Sequence, residues 1–419
     1  MSENRNGLPE TTAEEKVIDF PFEKVFIAFS IIFLLIAGAF YGLRYYEYAN
    51  GTGKRAGTLA GKILDDNQIV KSGDGLYDYE GIAIFRGKCE NNYIIYNGLL
   101  WRIMQVNADG SVRLISAEAL NQLPFNKEYA AFAQSELREY LNGYFRQQLP
   151  ESGIAETVIN DGVIDELTAI PDQQSSNAAA LCDVTSYLNS MLSGSTYLSD
   201  CQGSFWLANV SSAGVYRAED GKLMVSPPER FYQVRPVITL APETPTPGGS
   251  GSKSDPYRYE EETVTLGSVI QLGEDRWVVY QIDADAYRLI RKQPLDKPMT
   301  FGIKGDTYDP ANEGTVAHYL NNEYLASLNY GDLLVERDWT MGDYDGSLPQ
   351  TTVKCKVALA GLRDLKLSDA EDYWLADTGE RYVYVYGTKT ELFKQTLEKN
   401  VVPAIAISRS IKLTRQADG

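Results

Sequence analysis

Histidine is almost absent, since the 419 residues contain one, His318. Imidazole is the side chain whose ordinary pKa suits proton transfer near neutrality, so a zinc centre built on several histidines is excluded and a His-dependent triad could form only once. No GxSxG or HExxH motif accompanies His318. Its counterpart in the repeat described below is Glu139, an exchange that suits a wetted helix face better than a general base. Cysteine is scarce too. Cys89, Cys182, Cys201 and Cys355 include no CxxC pair, which removes the usual zinc and dithiol signatures. No run of Lys and Arg stands out, and 39 basic against 57 acidic residues give a formal charge of −18. That balance argues against nucleic acid and other polyanions as partners.

Acidic groups occur in "DADA" (Asp283, Asp285), "GDTYDPANEG" (Asp306, Asp309, Glu313) and "GDYDGS" (Asp343, Asp345). None has EF-hand spacing, and turns enrich in Asp, so neither a metal nor a cofactor is expected.

What the chain does have is an apolar fraction of 44% and 28 tyrosines, a composition that can bury a core and favours strands. From Val25 to Leu43 it reads "VFIAFSIIFLLIAGAFYGL", uncharged and bracketed by Lys24 and Arg44. About 20 such residues span a bilayer as a helix, and the following "YYEY" suits a membrane boundary. The expectation is a tail over 1–24, a single membrane-spanning helix over 25–46 and a stalk over 47–73. Basic residues on the two sides do not orient the span.

The rest is written twice. "LLWRIMQVNADGSVRLIS" from Leu99 matches "DRWVVYQIDADAYRLIR" from Asp275, with Trp101 on Trp277. "LREYLNGYFRQQL" from Leu137 matches "VAHYLNNEYLASL" from Val316; "FWLAN" from Phe205 matches "YWLAD" from Tyr373; "RPVITL" from Arg235 matches "VPAIAI" from Val402. Four landmarks in one order indicate duplication. Asn97-Gly98 between apolar runs predicts a hairpin, and Leu137, Leu141, Phe145 and Leu149 predict an amphipathic helix capped by Ser135. Strands plus a helix in each copy predict two α+β modules, 74–240 and 259–413, joined by a Pro/Gly/Ser-rich linker over 241–258.

This order of landmarks resembles an uncharacterised tandem repeat domain of envelope-anchored proteins of Gram-positive bacteria, similar to C-type-lectin-like and formylglycine-enzyme-like folds. The resemblance covers 74 to 413, although Val402 stands where the pattern has the Arg of "RP". It implies an extracytoplasmic location, hence a cell-membrane protein with its N-terminus inside, and it implies no activity.

The function expected is a non-enzymatic, membrane-anchored binding or scaffold protein whose modules recognise a glycan, a peptide or a protein partner of the envelope. The alternative is an envelope enzyme or enzyme subunit acting on cell-wall material. Recognition residues should drift between copies while packing residues stay. Asn209, which becomes Asp377, and Arg235, which becomes Val402, therefore mark a candidate site together with Tyr216 and Arg217. Cys182 and Cys201, close in sequence within one module, are expected to form a disulfide.

Overall fold

Short runs of Val, Ile, Tyr and Thr broken by Gly, Asn and Asp fold here as strands and tight turns. The computed structural model describes residues 55–165, 173–259, 264–341, 351–378 and 382–414. It is mostly β, 39% strand against 14% helix, which corrects the α+β expectation. Stretches between the repeated landmarks add further antiparallel pairs, such as Thr157–Asn160 with Gln174–Asn177. The helices are short, and the "YLN" helix of the first copy is Glu136–Tyr140 followed by a π-helical turn, Leu141–Phe145.

The expected membrane-spanning helix, 25–46, lies outside the described residues, as does the tail before it. Among the described residues no helix is long and apolar enough to cross a membrane. The single-pass anchor and the cell-membrane, extracytoplasmic placement that depended on it are therefore not supported. The stalk is also corrected. Helix Leu59–Asp66 buries Leu59, Ala60 and Ile63, and Tyr257 donates its hydroxyl to Asp66 at 2.9 Å, so this segment packs as the first element of the module.

Each copy centres on one antiparallel sheet. In the first, strands Tyr93–Tyr96, Leu99–Val106, Val112–Ser116 and Val237–Leu240 are neighbours in that order. In the second, Val269–Leu272, Asp275–Ile282, Ala286–Arg291 and Pro403–Ser408 repeat it. Even the irregularities repeat. The register slips between Ile103 and Gln105 and between Val279 and Gln281, and both helices contain a π turn. Trp206 donates to the Leu123 carbonyl at 2.9 Å with its ring 5.8 Å from Phe125; Trp374 donates to Met299 at 2.8 Å with its ring 5.8 Å from Phe301. Bulges and π turns are position-specific features, so their recurrence supports duplication more strongly than shared apolar residues do.

The segment 241–258 is not a free linker. Its backbone pairs with strand Tyr93–Tyr96, Tyr257 donating to the Tyr93 carbonyl at 3.0 Å and Ile95 to the Tyr257 carbonyl at 2.8 Å. The Tyr257 side chain is fully buried. The copies also interlock directly. Asn121 donates to the carbonyls of Leu362 and Asp364, Tyr140 to that of Arg363, and Tyr144 to Gln281.

All four cysteines are free and buried, so the expected Cys182–Cys201 bridge is absent. Each sulfur has its own neighbours: Cys182 sits against the Asp183 carbonyl and Cys201 against the Gln233 side chain. Burial pushes the Cys89 thiol up to about 11 and that of Cys355 to about 12, keeping both protonated and unreactive. A thiol-reactive chromophore should find no rapidly reacting thiol in the native protein and four per chain in denaturant. Two after denaturation without reductant would restore the disulfide.

Candidate functional site

The four residues expected to form a ligand site each bind separate neighbours as structural supports. Arg235 is 1% exposed, stacks on Phe205, and donates to the carbonyls of Ser116, Leu198 and Ala117 at 3.0, 2.8 and 3.2 Å. Among the described residues it makes no ion pair with a carboxylate. Asn209 is fully buried, donating to the carbonyls of Asn160 and Gly162 and accepting from the Val184 amide. Asp377 accepts from Leu362 in the same place, so the exchange at this position preserves one backbone bond rather than tuning recognition. Tyr216 donates to the Ile164 carbonyl at 2.9 Å. Arg217 reaches Ser226, Ser204 and Glu219 beneath the Tyr232 ring. His318 accompanies the Pro310 carbonyl at 3.0 Å on its helix.

A better candidate lies in the second copy. Asp275 opens its strand and Arg291 ends the next one. The register sets Arg291 opposite Trp277, and Asp275, two residues before Trp277, shares that face. Arg291 places Nε and Nη2 on one Asp275 oxygen at 3.0 and 2.6 Å, while Tyr330 donates its hydroxyl to the other at 2.5 Å. Trp277 Nε1 donates in turn to Tyr330 at 3.2 Å. Tyr324, from the π turn, has a buried hydroxyl beside that of Tyr330. Asp275, Arg291, Tyr324 and Tyr330, with Tyr319, Glu274, Asp296 and Lys297, line a cavity of about 830 Å³.

Burial and then the Asp275 interactions raise the Tyr330 phenol, and burial followed by the Asp275 charge raises that of Tyr324. Burial opposes the Arg291 charge, but the hydrogen bond and charge of Asp275 prevail and raise its pKa. The phenols therefore remain hydrogen-bond donors. Both Asp275 oxygens are already engaged, so the arrangement is suited to holding a polar ligand rather than moving a proton.

In the first copy the equivalent positions are closed over. The shared register makes Leu99 the counterpart of Asp275 and Ser116 that of Arg291, while Phe145 replaces Tyr324; all three are buried. Residues leading into the second copy cover the spot, and a Cβ on Gly98 would lie 1.8 Å from the Leu266 carbonyl oxygen. The paired change from Leu and Ser to Asp and Arg was visible in the aligned repeats and is the signal that points to this site. Among the described residues, no group of three His, Cys, Asp or Glu could hold a metal ion. Asp283 instead binds Arg288, and Asp306 closes its own turn on the Ile303 amide. No family model, curated protein or solved structure matches this chain.

Proposed function

We propose that this is a recognition and scaffold protein whose second copy holds a glycan or a short peptide in the Asp275–Arg291–Tyr330 cavity. The observation that carries this reading is the replacement of three buried residues, Leu99, Ser116 and Phe145, by an acid, a guanidinium and a phenol at an open cavity of about 830 Å³. Duplication supplies a stable framework on which one copy can keep its packing while the other opens a site. The interlocked copies favour fixed presentation over avidity through a flexible tether.

The test is a glycan and peptide array screened with the full chain and with Ser327→Trp. Ser327 is an exposed lining residue, so an indole there occupies the cavity without disturbing the core. Binding should fall at least tenfold, about 1.4 kcal/mol, at an unchanged melting temperature. Undiminished binding by a folded Ser327→Trp protein would remove the cavity from consideration.

A further inference from the structure

The first copy carries a different feature, built on strands Gly75–Tyr79 and Ile82–Arg86, which precede the repeated part of the module. Two cavities, of about 620 and 660 Å³, share Lys88 as a wall residue. Lys71 and Arg86 line one, Lys253 the other. Lys71, Lys88 and Lys253 are exposed, and among the described residues none makes an ion pair or side-chain hydrogen bond. Arg86 is held by the Met191 carbonyl, at 3.3 Å from Nε and 3.0 Å from Nη2, and lies over the Tyr77 ring, contacts that leave its charge uncompensated.

Three acids share these walls. Asp200 is spent on Arg102 at 2.7 Å. Asp74 and Glu90 remain, so four uncompensated cations face two carboxylates on a chain whose formal charge is −18. Serine hydroxyls occur along both cavities, with Ser72, Ser193 and Ser195 in one and Ser252 and Ser254 in the other.

We infer that this double cavity is a second binding site, and that its ligand is a short acidic oligosaccharide bearing carboxylate or phosphate groups. Lysines separated by hydroxyls match a ligand whose charges are spaced by neutral, hydrogen-bonding units. A long polyanion would overrun the basic walls and meet the acidic surface beyond, where like charges repel it. The residues lie at positions 71, 86, 88 and 253 of the sequence, so no basic run marks them there. The site is independent of the second copy's cavity and stands or falls separately.

Tetragalacturonate, its methyl ester, the same tetrasaccharide carrying phosphate monoesters on an esterified backbone, and tetraglutamate serve as probes in calorimetric titrations of the full chain. The free acid should bind, weaken as salt is raised from 20 to about 200 mM, and lose at least tenfold in affinity to Lys88→Glu at unchanged melting temperature. Ser327→Trp should leave it intact. Tighter binding of the phosphorylated sugar than of the uronate would identify phosphate as the source of the charge, and the reverse would identify carboxylate. Equal binding of the neutral ester, tighter binding of tetraglutamate, indifference to Lys88→Glu, or no binding of either acidic sugar at low salt would each overturn the inference.

Discussion

Arg235→Ala should lower stability by about 4 kcal/mol, because it strands buried carbonyls and opens a side-chain-sized void. The guanidinium supplies hydrogen bonds to the carbonyls of Ser116, Ala117 and Leu198 within a wholly buried environment. Unsatisfied buried groups cost roughly 1–3 kcal/mol each, which exceeds what is regained by leaving a charge in water. The second copy shows how the same scaffold manages without it. Val402 occupies the position, and the Lys292 carbonyl, counterpart of that of Ala117, accepts from the Asp369 amide at 2.9 Å and the Ser368 hydroxyl at 3.0 Å. Among the described residues no such loop reaches the first copy's carbonyls, so Arg235→Val should be nearly as damaging as Arg235→Ala. Urea unfolding measures both. A loss below about 1 kcal/mol would mean that water or a shifted neighbour replaces the guanidinium.

The duplication was legible because it is carried by large buried residues whose spacing must be kept: Trp101 and Trp277, Trp206 and Trp374 are all fully buried. The hairpin at Asn97-Gly98 and the cap at Ser135 were legible for the same kind of reason, since positive φ and an open amide demand particular residue types. The class was not. One periodic helix per copy was given the weight of a layer, whereas the connecting stretches pair through backbone groups that leave little trace in side-chain pattern. Segment 241–258 misled for a related reason. Pro and Gly are as suitable for an ordered strap, where Gly251 approaches the Tyr257 ring and the Asn91 carbonyl closely, as for a flexible tether. Among site residues, drift between copies was the wrong criterion at Asn209 and Arg235, where it reflects alternative ways of satisfying the backbone. The same criterion applied to Asp275 and Arg291 picks out a changed pair that lines a cavity.

Asn142→Ala should cost about 3 kcal/mol, and Asn321→Ala about 2, and each should shift one common unfolding transition. Both asparagines come from the repeated "YLN" and clip the π turn to the strand-like segment beside it. Asn142 donates to the carbonyls of Arg138 and Ala179, both at 2.9 Å, and accepts from the amides of Ala178 and Ala179 at 2.8 and 3.2 Å. Asn321 donates to Ala317 and Val357 and accepts from the Val357 amide at 3.1 Å. The smaller loss at Asn321 follows from Val357, whose carbonyl keeps the Tyr308 hydroxyl at 2.9 Å when the amide is gone. Asn→Asp at either place substitutes an acceptor for the donating nitrogen and sets oxygen against carbonyl oxygen, so it should be at least as harmful as Ala. A single transition is expected because separating the copies would break the Asn121, Tyr140 and Tyr144 bonds together and expose the Leu120–Lys366 backbone contact. Calorimetry of the two variants tests this. If Asn142→Ala lowers the first of two resolved peaks and Asn321→Ala the second, the copies unfold independently and their interlocked surface contributes little to stability.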